Sequence, residues 1–285
     1  MTKLLRWAGY GLGTIVVLLL LAAAAVWIIS SRKLNSAVST TQSHLAAPTR
    51  AQLADAPRQL KVLGCAGCHG AKLQGDAFLD DPKLATLYAP NLTLLAARAT
   101  DQQLDRAIRQ GVGVDGRALA VMPSQSYQFL TDQEAAALIA AVRHFPKTGS
   151  EQPARSVGPL GRIGLVAGKL HTAPSLVAEY RASPLPDFGR KFAAGRHVVQ
   201  TRCSECHGAD LKGKELEPGV VSTDLSMVGA YDLEQFRTLL RTGVPPSRKK
   251  LGLMATVAKG DFSHLTDEET EGVHAYLVER AQKAN

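Results

Sequence analysis

The chain has 285 residues, enough for about two domains. Its formal net charge is +8 and its pI is near 9.4. The basic residues are scattered apart from Arg248-Lys249-Lys250 and accompany no nucleic-acid motif, which excludes nucleic acid as the partner and leaves an acidic protein or anionic lipid.

Residues 7–31 carry no charge, with Lys3 and Arg6 before them and Arg32 and Lys33 after. The apolar run from Ile15 to Ile29 predicts a helix long enough to cross a bilayer. Ala23-Ala24-Ala25 would suit signal-peptide cleavage, but the apolar run continues past it, so residues 1–33 are expected to stay as an anchor. Trp7 and Trp27 stand near its two ends, where interfacial aromatics collect. The flanking charges are balanced and do not set orientation.

Next comes Cys65-Ala66-Gly67-Cys68-His69, repeated as Cys203-Ser204-Glu205-Cys206-His207. The two C-x-x-C-H motifs use all four cysteines, and this motif is the signature of covalent c-type haem attachment. On a helical turn, positions i, i+3 and i+4 share a face. Two thiols can then reach the two vinyl groups of one porphyrin edge, and the histidine lies under the ring as an iron ligand. A zinc ribbon would use a shorter spacer than the 134 residues between Cys68 and Cys203. A thioredoxin-like site needs a βαβ context, and none surrounds either pair. Two covalent haem c groups are expected, and they would fill cores in a chain with only 5% aromatic residues. Such attachment takes place outside the bacterial cytoplasm. Residues 34–285 are therefore expected in the periplasm, held to the bacterial inner membrane by a single N-terminal anchor.

The repeat extends beyond the motifs. CAGCHGAKLQG (65–75) matches CSECHGADLKG (203–213), and DQQLDRAIRQGV (101–112) resembles DLEQFRTLLRTGV (232–244). Leu104 and Ile108, and Leu233, Phe236, Leu239 and Leu240, predict helices that stop at Gly111 and Gly243. Thr131–Glu134 and Thr266–Glu269 are capping boxes that open a terminal helix in each half. Neither half shows a convincing alternating strand pattern. The expected fold class is all-α, with a transmembrane helix followed by two domains, 34–148 and 187–285. Pro146, Gly149, Pro153, Gly158 and Pro159 mark the start of a connector, 149–186.

An iron that only carries electrons needs a sixth ligand, and a thioether there raises the potential and excludes substrate. Met122 follows Gly111 by 11 residues and Met254 follows Gly243 by 11, so these are the expected ligands opposite His69 and His207. Met227, only 20 residues after His207, is the rival in the second half, and His264 or His274 would give a bis-histidine site. His44, His144, His171 and His197 have no spacing partner and read as structural or surface residues.

With these residues in place, the halves resemble class I cytochrome c domains. Together they resemble the membrane-associated multihaem cytochrome subunits of periplasmic alcohol, aldehyde and sugar-acid dehydrogenases. The stretches that carry the resemblance are CAGCHGAKLQG, YAPNLT (88–93), residues 111–146 around Met122, and MATVAKGDFSHLTDEETEGVHAYL (254–277). It implies a proline carbonyl that accepts the proximal histidine Nδ1–H. Pro90 fits in the first half, whereas the second reads Thr223-Asp224-Leu225. Subunits of that family often carry three haems; two motifs are present here. The implied function is electron transfer rather than catalysis, from a periplasmic dehydrogenase to a quinone site or respiratory oxidase. A tethered shuttle to a terminal oxidase is the alternative. A dihaem peroxidase would need one iron open to peroxide, which methionines in both halves oppose; a haem sensor would need an output domain. Arg117 and Arg248-Lys249-Lys250 precede the two methionines and are expected to form a docking rim weakened by salt.

Overall fold

The computed structural model describes residues 2–35, 37–217 and 219–284. Helix α1 spans Thr2–Asn35 and includes an apolar stretch of mean hydropathy 2.8 that no other part of the described chain covers. Such a helix is long enough to cross a membrane. Beyond it, the backbone runs along the first haem-motif domain, with Val38 N–H donating to the Gly116 carbonyl at 3.1 Å.

The first domain is built from α2 (Arg50–Val62), α3 (Cys65–His69), α4 (Leu92–Arg98), α5 (Asp101–Asp105), α6 (Ser124–Tyr127) and α7 (Asp132–His144). Thr49 and Gln52 form a capping box on α2, and Thr131 and Glu134 form the expected one on α7. The helix of α5 continues as a wider turn, Arg106–Gln110, and stops at Gly111 in the left-handed region, as its sequence predicts. Leu60, Leu63, Leu104, Tyr127, Leu138, Ile139 and Val142 form the core. Under it lies an ion pair between Asp105, 1% exposed, and Arg109, 14% exposed. Arg109 also donates to Asp132 and to the Leu130 and His44 carbonyls. Removing one partner of a pair this buried strands the other charge, so Asp105→Ala should cost about 3 kcal/mol in denaturant unfolding.

The second domain repeats the plan with α10 (Ala193–Val198), α11 (Ser204–His207), α12 (Leu233–Thr242), α13 (Leu253–Gly260) and α14 (Asp267–Ala284). Asp232 caps α12, Gly243 ends it in the left-handed region, and Thr266 and Glu269 exchange the expected capping bonds at α14. Val199, Leu211, Phe236, Leu240, Val273, Tyr276 and Leu277 form its core.

The fold is helical, as expected, with small ribbons that the sequence did not announce. Strands β1 (Asp76–Asp81) and β2 (Ala85–Ala89) form an antiparallel hairpin joined by β3 (Ser156–Val157); β4 (Glu215–Glu217) pairs with β5 (Val220–Val221). Five of the six β1 residues are exposed, so no alternation marks the strand. Between the domains, α8 (Pro159–Val166) packs on α1, and α9 (Ala173–Ala182) packs on α6.

Candidate haem sites

The loop after each motif folds identically at the level of the backbone. Gly75 N–H donates to the His69 carbonyl at 2.7 Å, and Gly213 N–H donates to His207 at 2.8 Å. Leu73 and Leu211 are fully buried in the left-handed region, at φ 57° and 62°, a strained choice repeated in both halves. Their carbonyls accept from Leu92 and Leu225, each at 2.9 Å. Gly75 and Gly213 allow this turn. A Cβ there would lie 2.8 Å from the Ala89 carbonyl and 2.2 Å from the Ser222 carbonyl, at positive φ in both cases.

The loop brings a carbonyl to each motif histidine. His69 Nδ1 donates to Pro90 at 2.9 Å and His207 Nδ1 donates to Thr223 at 2.7 Å. Thr223 thus supplies the bond for which the second half has no proline. A histidine that gives Nδ1–H to a carbonyl keeps the Nε2 lone pair for a metal. Burial lowers the basicity of both imidazoles, which favours the neutral, ligating form.

All four cysteines are free. Burial pushes the Cys65 and Cys203 thiols up to about 12, Cys206 up to about 11, and Cys68 upward as well. A redox dithiol requires the opposite shift. Among the described residues no three His, Cys, Asp or Glu side chains gather as a metal site.

Cys65 and Met122 both pack against the first core, and Cys203 and Met254 both pack against the second. Met122 lies in the loop before α6; Met254 lies in the first turn of α13 rather than in a loop. Val121 and Leu253, directly before the two methionines, are exposed apolar side chains. The rivals lie elsewhere in the bonding pattern. Met227 is exposed, and His274 Nε2 bonds the Tyr231 carbonyl at 2.8 Å. Free thiols, an oriented imidazole and an apolar-flanked thioether suit a covalently attached haem in each half.

The two sites meet across the domain interface. Val62 of α2 lies in the core of the second domain, and Ser126 bonds Ser204 of the second motif at 2.9 Å, both buried. After burial, the Glu205 carboxylate of the second motif is the largest influence raising the Cys68 thiol of the first. Both capping glutamates reach over as well. Glu134 bonds His197 Nε2 at 2.9 Å, and Glu269 receives Arg58 at 2.7 Å and Gln59 at 3.2 Å. Gln59 and His197 each stand six residues before the first cysteine of their motif, so the contacts are related by an approximate two-fold. The sequence signalled Glu134 and Glu269 as caps only, and His197 as unpartnered.

These carboxylates make the interface acid-sensitive. Burial acts to raise Glu134, but the His197 bond and charge and the Thr131 cap outweigh it and hold the group at about 2. Burial opposed by Arg58 and the Thr266 N–H likewise leaves Glu269 below its ordinary value. Folded values below unfolded ones add stability above about pH 4.5 that is lost as pH falls toward 2. Calorimetry should therefore show the domains melting together at pH 7 and separating between about pH 4 and 2; Glu134→Gln should blunt that dependence.

Fold and sites define a tandem two-domain protein built to hold haem through thioether bonds. A family model for cytochrome c matches residues 54–145 and 192–281, one copy on each domain, and the chain belongs to the cytochrome c family. Among curated relatives, it is 25% identical to the fructose dehydrogenase cytochrome subunit of Gluconobacter japonicus, over 77% of this chain and 51% of that protein. It is 24% identical to the cytochrome c subunit of alcohol dehydrogenase (quinone) from Gluconacetobacter polyoxogenes, over 82% of this chain and 59% of that subunit. The matching subunit of Komagataeibacter europaeus gives the same figures. The chain spans about half the length of the curated relatives it matches.

Proposed function

We propose that this chain passes single electrons from a periplasmic dehydrogenase to a quinone site or oxidase of the respiratory chain, through two covalently bound haem c groups. Cys65 and Cys68 hold the first haem, with His69 and Met122 on its iron; Cys203 and Cys206 hold the second, with His207 and Met254. Haem bound in this way supplies a one-electron ferric/ferrous couple whose potential the protein tunes. Pro90 and Thr223 fix the imidazole planes, and the two cores exclude water. The domains, 34–148 and 187–285 joined by 149–186, hang from the bacterial inner membrane on α1.

The observation that carries this reading is the repetition of one arrangement: motif cysteine and candidate methionine bordering the same core, with the motif histidine tied through Nδ1. Contact between Ser126 of the first domain and Ser204 of the second motif supports transfer within the chain. Methionines placed alike in both halves disfavour a peroxidase. The names of the relatives favour a dehydrogenase donor over a solitary shuttle. Of the basic docking rim, Arg117 is engaged by Asp115 at 2.7 Å, which leaves the exposed Arg248-Lys249-Lys250 as its stronger part. Purification from mild-detergent membranes, with haem staining and mass spectrometry, tests the assignment. A co-purifying dehydrogenase subunit supports it, and recovery alone or with an oxidase replaces it with the shuttle. Electron transfer indifferent to salt would remove the docking rim.

A further inference from the structure

Helix α8 is apolar on nearly every side, which is the pattern of a covered helix rather than a surface one. One face is covered. Gly161 and Leu165 are buried, and a Cβ on Gly161 would lie 2.2 Å from the Leu84 carbonyl of the first domain. The opposite face is not. Leu160 is 57% exposed and Ile163 is 52% exposed, and Leu170 continues the stripe past the helix end.

The position of this face relative to α1 is fixed by several contacts. The Arg162 guanidinium stacks on the Trp27 ring at 3.6 Å and donates to Ser30 at 2.9 Å and Ser31 at 3.0 Å. Lys33 Nζ caps the end of α8 through the Leu165 carbonyl at 2.8 Å. Ser30 and Leu34 are buried, and Arg155 bonds the Leu34 and Ala118 carbonyls, which ties α1 to the first domain. From Trp7 to Trp27 is 20 residues of helix, about 30 Å of rise, the thickness of a hydrocarbon core. A helix that touches Trp27 therefore lies at the hydrocarbon boundary.

We infer that α8 and the turn to Leu170 form a second membrane contact, lying in the leaflet that meets the haem domains. Leu160, Ile163 and Leu170 enter the acyl region, while Lys33, Arg162 and Lys169 sit among phosphate groups. The occupant of the exposed face is lipid. The stripe belongs to a helix packed on α1, whose own apolar side chains, Ile28 and Ile29 included, are exposed, and its cations suit anionic headgroups. The first domain is thereby seated on the membrane in one orientation instead of swinging on a tether. The inference rests on the reading of α1 as a membrane anchor.

The test uses the full haem-loaded chain in phosphatidylcholine vesicles containing phosphatidylglycerol. With the motif cysteines consumed as thioethers, a single added cysteine is the only reactive thiol. Leu19→Cys, Ile163→Cys and Lys249→Cys are compared by their rate of reaction with a membrane-impermeant charged maleimide. The expected result is slow reaction at 19 and 163, many-fold below that at 249. Fast reaction at 163 with slow reaction at 19 overturns the second contact and leaves the anchor standing. Fast reaction at both overturns the two together. On the unsubstituted chain, a phospholipid with a photoactivatable acyl chain should mark 159–170 as well as α1, and marking of α1 alone would be equally decisive against the proposal.

Discussion

Replacing Met122 or Met254 by leucine should each abolish the far-red charge-transfer band of one thioether-ligated ferric haem, while Met227→Leu leaves both bands intact. Each of the first two changes should also lower one of the two potentials by on the order of a hundred millivolts, within the roughly 0.8 V that axial ligands command. The expectation rests on packing and spacing together. Met122 and Met254 border the same cores as Cys65 and Cys203, and each follows its helix-stopping glycine by 11 residues. Met227 is exposed on a 3-10 turn outside the second core. Leucine nearly conserves methionine volume, so a merely structural methionine would move stability by less than about 1.5 kcal/mol and leave the spectrum alone. Redox titration with absorption spectroscopy separates the outcomes. A Met254→Leu protein with both bands and both potentials unchanged would remove Met254 from the iron and reopen the second ligand.

The parts of this molecule that were legible in its sequence are local. A C-x-x-C-H motif, a capping box and a glycine stop each operate within about five residues, so spacing alone reports them. His69 through Pro90 was legible through resemblance, because the proline marks a carbonyl; Thr223 marks nothing, since any residue offers a carbonyl. The connector's punctuation conceals a helix. Gly158-Pro159 reads as a break, yet Pro159 stands in the first turn of α8, where its missing N–H costs no helical bond. The β1–β2 hairpin was hidden because one strand faces solvent on both sides. What no spacing could show is the domain interface. His197 and Glu134 are 63 residues apart and Arg58 and Glu269 are 211 apart, and one side chain serves as a helix cap in its own domain while pairing with the other.

Arg58→Ala should uncouple the two domains. Its guanidinium holds Asp55 at 2.6 Å, both oxygens of Glu269 at 2.7 and 3.0 Å, and the His264 carbonyl at 2.9 Å. The Asp55 and Glu269 bonds raise the basicity of Arg58 further, so it stays charged throughout the accessible range. Loss of one partner in a fully buried pair costs about 3–5 kcal/mol, but these side chains are 26% and 19% exposed, which brings the expected loss to about 2–3 kcal/mol. In a protein whose α2 lends Val62 to the core of the second domain, that loss falls on the interface before it falls on either core. Calorimetry at pH 7 should show one transition becoming two, with the domain cores themselves little changed. Glu269→Ala should do the same, and the double variant should cost less than the sum, since each single change leaves the other charge stranded. Electron exchange between the halves supplies the functional reading of the same event. The Ser126–Ser204 contact holds the second motif against α6 of the first domain only while the domains stay docked, so exchange should slow in Arg58→Ala even though the ligands of neither iron are touched. Unchanged exchange alongside split melting would mean that the route between the haems does not depend on this interface.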